Sequence, residues 1–188
     1  SADIGEGISN SASSLATASN DFDQSVAMIV GMSEITQSAN EAGNALKVVS
    51  MRLRGYDEET QSYTNDVEEL SGKVADLTKT SETPGGISLF TDDTKQTYKD
   101  TYTLMEDISK IYDKLSDKNR AELLEVIAGK NRGNQIAALI QAFQSGQVQK
   151  AYEASKNSEG SAQQEQERWL NSIEAKQQQF SSHFQKLS

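Results

Sequence analysis

One proline, Pro84, occurs in 188 residues, and there is no cysteine. Proline removes an interior helical hydrogen bond and collides with the preceding turn, so its near-absence leaves the backbone free to run as helix almost everywhere. Pro84 itself lies in Pro84-Gly85-Gly86, the clearest breaker in the chain. The lack of cysteine excludes a disulfide framework and thiolate chemistry. The single histidine, His183, excludes every multi-histidine metal site. Hydrophobic residues make up 35% of the chain and the mean hydropathy is -0.65. The apolar material is therefore expected along amphipathic helix faces rather than in one massive core.

The formal net charge of -10 argues against nucleic-acid binding, which needs clustered Lys and Arg against phosphate. The densest basic spots, Arg52/Arg54 and Lys130/Arg132, are both short. The longest apolar run, "VAMIV" at 26–30, is far too short to span a bilayer, and no signal-peptide pattern is present. The chain starts at Ser1 without an initiator methionine and stops inside a strongly periodic stretch. It is read as a fragment of something longer.

Spacing predicts the helices. Residues 1–20 are Ser, Ala, Gly and Asn with scattered Ile4, Ile8 and Leu15, a weak helix or a frayed, weakly ordered end. Phe22, Val26, Ile29 and Val30 share one face, and Met28, Met32 and Ile35 form a second stripe, which predicts a helix buried on two sides. Ala42, Ala45, Leu46, Val49 and Leu53 line a helix over about 38–54 that stops at Gly55. After a polar loop (55–65), Val67, Leu70, Val74 and Leu77 step as a heptad seam. "ISLF" at 87–90 is either a short strand or an extended, buried connector, and a lone strand has nothing to pair with.

The stretch "SLFTDDTKQTYKDTYTLMEDISKIYDKLSDKNR" carries three tyrosines and many charges. Leu104, Ile108, Ile111 and Leu115 step by four, three and four, and Tyr98, Tyr102, Met105 and Tyr112 lie on an adjoining stripe. The spacing predicts one long amphipathic helix, capped at Thr91, Asp92 or Asp93, with tyrosines along the edge of the core. Ser116 or Asp117 starts the next helix, through Leu123, Leu124, Ile127 and Ala128 to Gly129. After "KNRG", Ile136, Leu139, Ile140 and Phe143 give another clean face before Gly146, and Val148, Ala151 and Tyr152 mark a short helix ending near 157–160.

The final helix begins at Ser161, with Gln164 completing a capping box. Leu170, Ile173, Gln177, Phe180, Phe184 and Leu187 then form a heptad seam, a candidate association surface whose register Gln177 would set. The same seam can instead pack on its own chain. Trp169 is read as a seam or docking aromatic, and His183 as a surface or seam residue. The expected fold is all-α: an irregular bundle of six to eight amphipathic helices with a long heptad-patterned C-terminal helix. Residues 1–20 form the weakly ordered N-terminal segment and 21–188 the helical module, with a candidate sub-boundary in the Pro/Gly loop at 78–91.

No constellation carries catalysis. Glu58-Glu59 and Glu68-Glu69 are adjacent pairs that point apart. Asp92-Asp93 suits a helix N-terminus, and "TDDTKQTY" lacks the Gly and closing Glu of a calcium loop. "GKNRG" at 129–133 lacks the glycine spacing and the Lys-Ser/Thr ending of a phosphate loop. Catalytic, cofactor and metal residues are therefore all assigned as none.

Three blocks in order, "EITQSANEAGNALKVVSMRLRG", "GISLFTDDTKQTYKDTYTLMEDISKIYDKLSDKNRAELLEVIAGKNRGNQIAALIQAF" and "NSEGSAQQEQERWLNSIEAKQQQF", resemble the tail tape measure proteins of long-tailed phages and prophages of Gram-positive bacteria. The resemblance runs from about residue 20 to 187, and its middle block is the most specific. It implies a non-enzymatic protein of the tail lumen, made in the host cytoplasm. Such a protein templates tube polymerisation, sets tail length and takes part in genome ejection. The implied partners are tail tube protein, tail assembly chaperones and tail tip proteins; the seam of the last helix adds a candidate homo-oligomer, and no membrane insertion by this fragment is expected. Two other readings stay open: a helical interaction or chaperone-like module of a prophage or secretion system, and a cell-wall hydrolase segment. The glycine breaks favour a compact module within a longer tape measure over a simple rod.

Overall fold

Short polar side chains set where the helices begin. Asp21 accepts from the Gln24 amide while the Gln24 side chain accepts from the Asp21 amide, a complete capping box. Ser38, Asp66, Asp100 and Ser116 each accept from an amide in the first turn that follows them. A computed structural model describes residues 2–158, with eight α-helices and one two-stranded ribbon among them. In chain order these are α1 (Ala2–Thr17), α2 (Phe22–Thr36), α3 (Ala39–Arg52), β1 (Tyr56–Asp57), β2 (Ser62–Tyr63), α4 (Val67–Leu77), α5 (Thr101–Ile111), α6 (Asp117–Ala128), α7 (Gly133–Gln144) and α8 (Gln147–Lys156). A 3-10 turn at Tyr112–Lys114 follows α5. The fold is the all-α irregular bundle that the periodicity predicts.

Helix α2 is the centre of the bundle and touches α1, α3, α5, α7 and α8. It buries Phe22, Ala27, Met28, Ile29 and Met32, so two-sided burial holds, although Ile35 at the end of the second stripe stands exposed. The predicted faces of α3 (Ala42, Ala45, Leu46, Val49, Leu53) and α7 (Ile136, Leu139, Ile140, Phe143) are all buried. Of the two readings of residues 1–20, the structure has the helix: α1 lies along α3 with Ala12 and Leu15 buried. Small residues make that contact. A Cβ at Gly43 would stand 2.4 Å from the Gly7 carbonyl oxygen, so bare backbone meets bare backbone there.

Two details differ from the sequence reading, and a third decides between its alternatives. The polar loop at 55–65 contains a small antiparallel ribbon pairing Tyr56 with Tyr63 and Asp57 with Ser62. "ISLF" is the buried connector: Ile87, Leu89 and Phe90 are inside, and the Leu89 amide donates to the Ser71 hydroxyl. The long helix expected from residue 91 onward is shorter and starts later. Residues 91–100 form a loop, Asp100 caps α5, and Asp92 instead accepts from the amide and hydroxyl of Thr94. That local turn competes with helix at Asp92, as short polar side chains commonly do. An isolated bridge between Phe90 and Tyr98 holds the loop against the connector. The seam from Leu170 to Leu187, Trp169 and His183 lie outside the described residues.

Candidate interaction surface

Arg52, in the last turn of α3, ties that helix to the ribbon turn and to the end of α6. Its Nη1 meets Glu58 Oε1 at 3.1 Å, and its other nitrogens donate to the backbone carbonyls of Ile127 (3.3 Å) and Val126 (3.1 Å). Those carbonyls belong to the last turn of α6, which has unsatisfied acceptors and partial negative charge. Arg132 Nη1 reaches the second oxygen of Glu58 at 2.9 Å. One carboxylate on the ribbon thus joins α3 to the start of α7, while the guanidinium of Arg52 closes the end of α6. Gly129 makes room for this: a Cβ there would lie 2.9 Å from Glu58 Oε1. Both basic spots of the sequence are therefore turned inward in part, and neither forms a cationic patch.

Beside this junction an open groove of about 630 Å³ runs between α4 and α6. Leu70, Leu77 and Val126 lie along it, half-buried. Asp66, Glu69 and Asp76 line the α4 side, and Glu122 and Glu125 the α6 side. Lys73 and Arg52 are its cationic groups. Enclosed ligand sites are predominantly apolar with a few convergent polar groups. This groove is open and lined by carboxylates, a shape suited to a peptide segment with its own side chains.

The tyrosines of the long central block are separated rather than gathered. Tyr98 stacks on Phe90 with centroids 5.1 Å apart, and the Arg54 guanidinium lies 4.2 Å from the Tyr98 ring centroid. Burial lowers the Arg54 pKa, with Tyr98 and Asp100 opposing that shift. Tyr102 meets Phe143 edge-on at 5.0 Å and Tyr152 at 5.6 Å. Burial, aided by Glu106, pushes the Tyr102 phenol up to about 12. Tyr112 is also raised by burial, against the pull of Arg120. Tyr102 and Tyr112 therefore stay protonated near neutral pH, and the tyrosines act as packing groups with a polar edge.

The adjacent acidic pairs divide as their spacing implies: Glu58 is half-buried at the junction and Glu59 exposed, while Glu69 lines the groove and Glu68 does not. "GKNRG" is the interhelical turn between α6 and α7. Among the described residues no group of His, Asp and Glu is placed to hold a metal ion. Among them, too, no helix is long and apolar enough to cross a membrane. Sequence reasoning missed the Arg52–Glu58–Arg132 junction, because Glu58 and Arg132 are 74 residues apart and each member looks like an ordinary surface charge.

A family model described as phage-related minor tail protein matches residues 1–129. That stretch covers α1 to α6 and ends at Gly129, the residue that closes α6. No curated protein and no solved structure matches the chain.

Proposed function

This chain belongs to the phage-related minor tail proteins, and from that premise we propose that it is a packed helical module of a tape measure in a long-tailed phage or prophage of a Gram-positive bacterium. The family match over residues 1–129 carries the reading, since it makes the chain a structural component of a phage tail. The order of the three sequence blocks supports the finer assignment. In this role the parent protein occupies the tail lumen, templates tube polymerisation, sets tail length and leaves during genome ejection. The chain would work with tail tube protein, tail assembly chaperones and tail tip proteins. The seam Leu170, Ile173, Gln177, Phe180, Phe184 and Leu187 is its proposed site of self-association.

Mass spectrometry of purified virions tests this. Peptides from residues 1–158 are expected in intact particles and lost from particles that have ejected their DNA. Their retention in emptied tails at the intact level would contradict a luminal tape.

A further inference from the structure

We propose that the groove between α4 and α6 receives a basic amphipathic helix from another tail protein. The first ground is incomplete packing. Of the seam Val67, Leu70, Val74 and Leu77, only Val74 is fully buried; the other three are half-buried, and Leu70 and Leu77 line the groove with Val126. The apolar stripe of α4 is therefore covered by α6 on one side and left open along the groove. An occupant that completes it needs large apolar residues at helical spacing. Three turns, about 16 Å at 1.5 Å per residue, match the length of α4.

The second ground is charge. Five carboxylates, Asp66, Glu69, Asp76, Glu122 and Glu125, stand against Lys73 and Arg52, and Arg52 is already engaged by Glu58 and the α6 carbonyls. Asp66 is engaged as the α4 cap and Asp76 pairs with Lys79. Glu69, Glu122 and Glu125 form no ion pair among the described residues, and all three are exposed. Carboxylates on both walls of a groove give a negative potential that favours a cationic occupant and repels an acidic one. A helix with a leucine-type stripe flanked by Lys or Arg satisfies both grounds at once. The inference rests on the structural role in a tail but not on length control, so its failure would leave the virion test untouched.

The test uses the full 188-residue chain and a dye-labelled leucine–lysine amphipathic helix about as long as α4, followed by fluorescence anisotropy. Saturable binding is expected, with no binding of the matching leucine–glutamate helix. Replacing the leucines of the probe by serine should weaken binding by about tenfold. The triple variant Glu69→Lys, Glu122→Lys, Glu125→Lys should also bind about tenfold more weakly. A control of equal charge, Glu34→Lys, Asp93→Lys, Glu153→Lys, should lose less than about threefold, because screening confines surface charge effects to about 8–10 Å. Circular-dichroism melts of both variants confirm that each is folded. Equal losses in the two triples would reduce the effect to general acidity and overturn the proposal. So would absence of binding, or equal binding of the glutamate probe. A self-association of the wild-type chain that disappears in the groove variant would make a second copy the occupant and overturn it as well.

Discussion

A single added methyl group has opposite consequences at two glycines of this chain. Alanine is favoured over glycine in a helix interior by about 1 kcal/mol. At Gly72, in α4, nothing lies within 4 Å of the new carbon, so Gly72→Ala should raise stability by about 0.5–1 kcal/mol. At Gly43 the carbon would sit 2.4 Å from the Gly7 oxygen and 2.8 Å from the Gly7 Cα. Backbone cannot rotate aside, and overpacking of this kind costs about 1–3 kcal/mol, so it outweighs the gain in propensity. Gly43→Ala should therefore lower the urea midpoint while Gly72→Ala raises it; the same sign at both would refute the close approach of α1 and α3. The buried phenols set a second residue-scale expectation. Burial, then Tyr56, pushes Tyr63 up to about 12, and burial with Glu106 does the same for Tyr102. An unfolded tyrosine ionises near 10. Between about pH 10 and 12 the unfolded chain releases these protons while the folded chain keeps them, so stability falls as pH rises through that window. Tyr63 and Tyr102 should ionise last in an absorbance titration, and the melting temperature should drop across the same interval.

Between elements, Asn20 is a connection that sequence patterning cannot reveal. Its Nδ2 donates to the Leu15 carbonyl in the last turn of α1, and its Oδ1 accepts from the Tyr102 amide in the first turn of α5, both at 2.9 Å. Those backbone groups are among the ones a helix cannot satisfy internally, and Asn20 is 4% exposed. Removing its side-chain amide in Asn20→Ala leaves the buried Tyr102 amide without its partner, at about 1–3 kcal/mol, while the Leu15 carbonyl keeps its bond from the Asn20 backbone N–H. A loss of about 1–3 kcal/mol is expected, together with faster hydrogen exchange at the Tyr102 amide; unchanged protection there would sink the assignment. What was legible in the sequence at this scale was local. Ser38 and Ser116 announced their helices, and the faces of α3 and α7 followed from spacing alone, because capping and amphipathicity act within one element. Tyr98 misled for the same reason. Its interval to Tyr102, Met105 and Tyr112 fits a helical stripe, yet Asp92 and Thr94 take a local turn and Phe90 holds Tyr98 in a bridge. Contacts between residues far apart in the chain, such as Glu58 with Arg132 or Gly7 with Gly43, leave no periodic trace.

At the scale of the whole molecule, one continuous apolar cluster runs from Ala12 in α1 to Val148 in α8. The helices reach it by doubling back: α1 and α2 both pack on α3, and α8 returns to α2. A ruler works by contour, and a folded bundle withdraws its contour from the ruler. Laid out as one helix, residues 2–158 would measure about 240 Å at 1.5 Å per residue. The packed form is far shorter and offers faces instead, among them the acidic groove and the Arg52–Glu58–Arg132 junction. On this view the segment contributes shape for recognition during tail assembly, and its removal costs a docking partner rather than a length increment. Electron microscopy of phage carrying an in-frame deletion of residues 2–158 separates the two roles. Few or no complete tails are expected in the lysate. Abundant, well-formed tails shorter by about 240 Å would contradict the packed module and make this stretch part of the ruler itself.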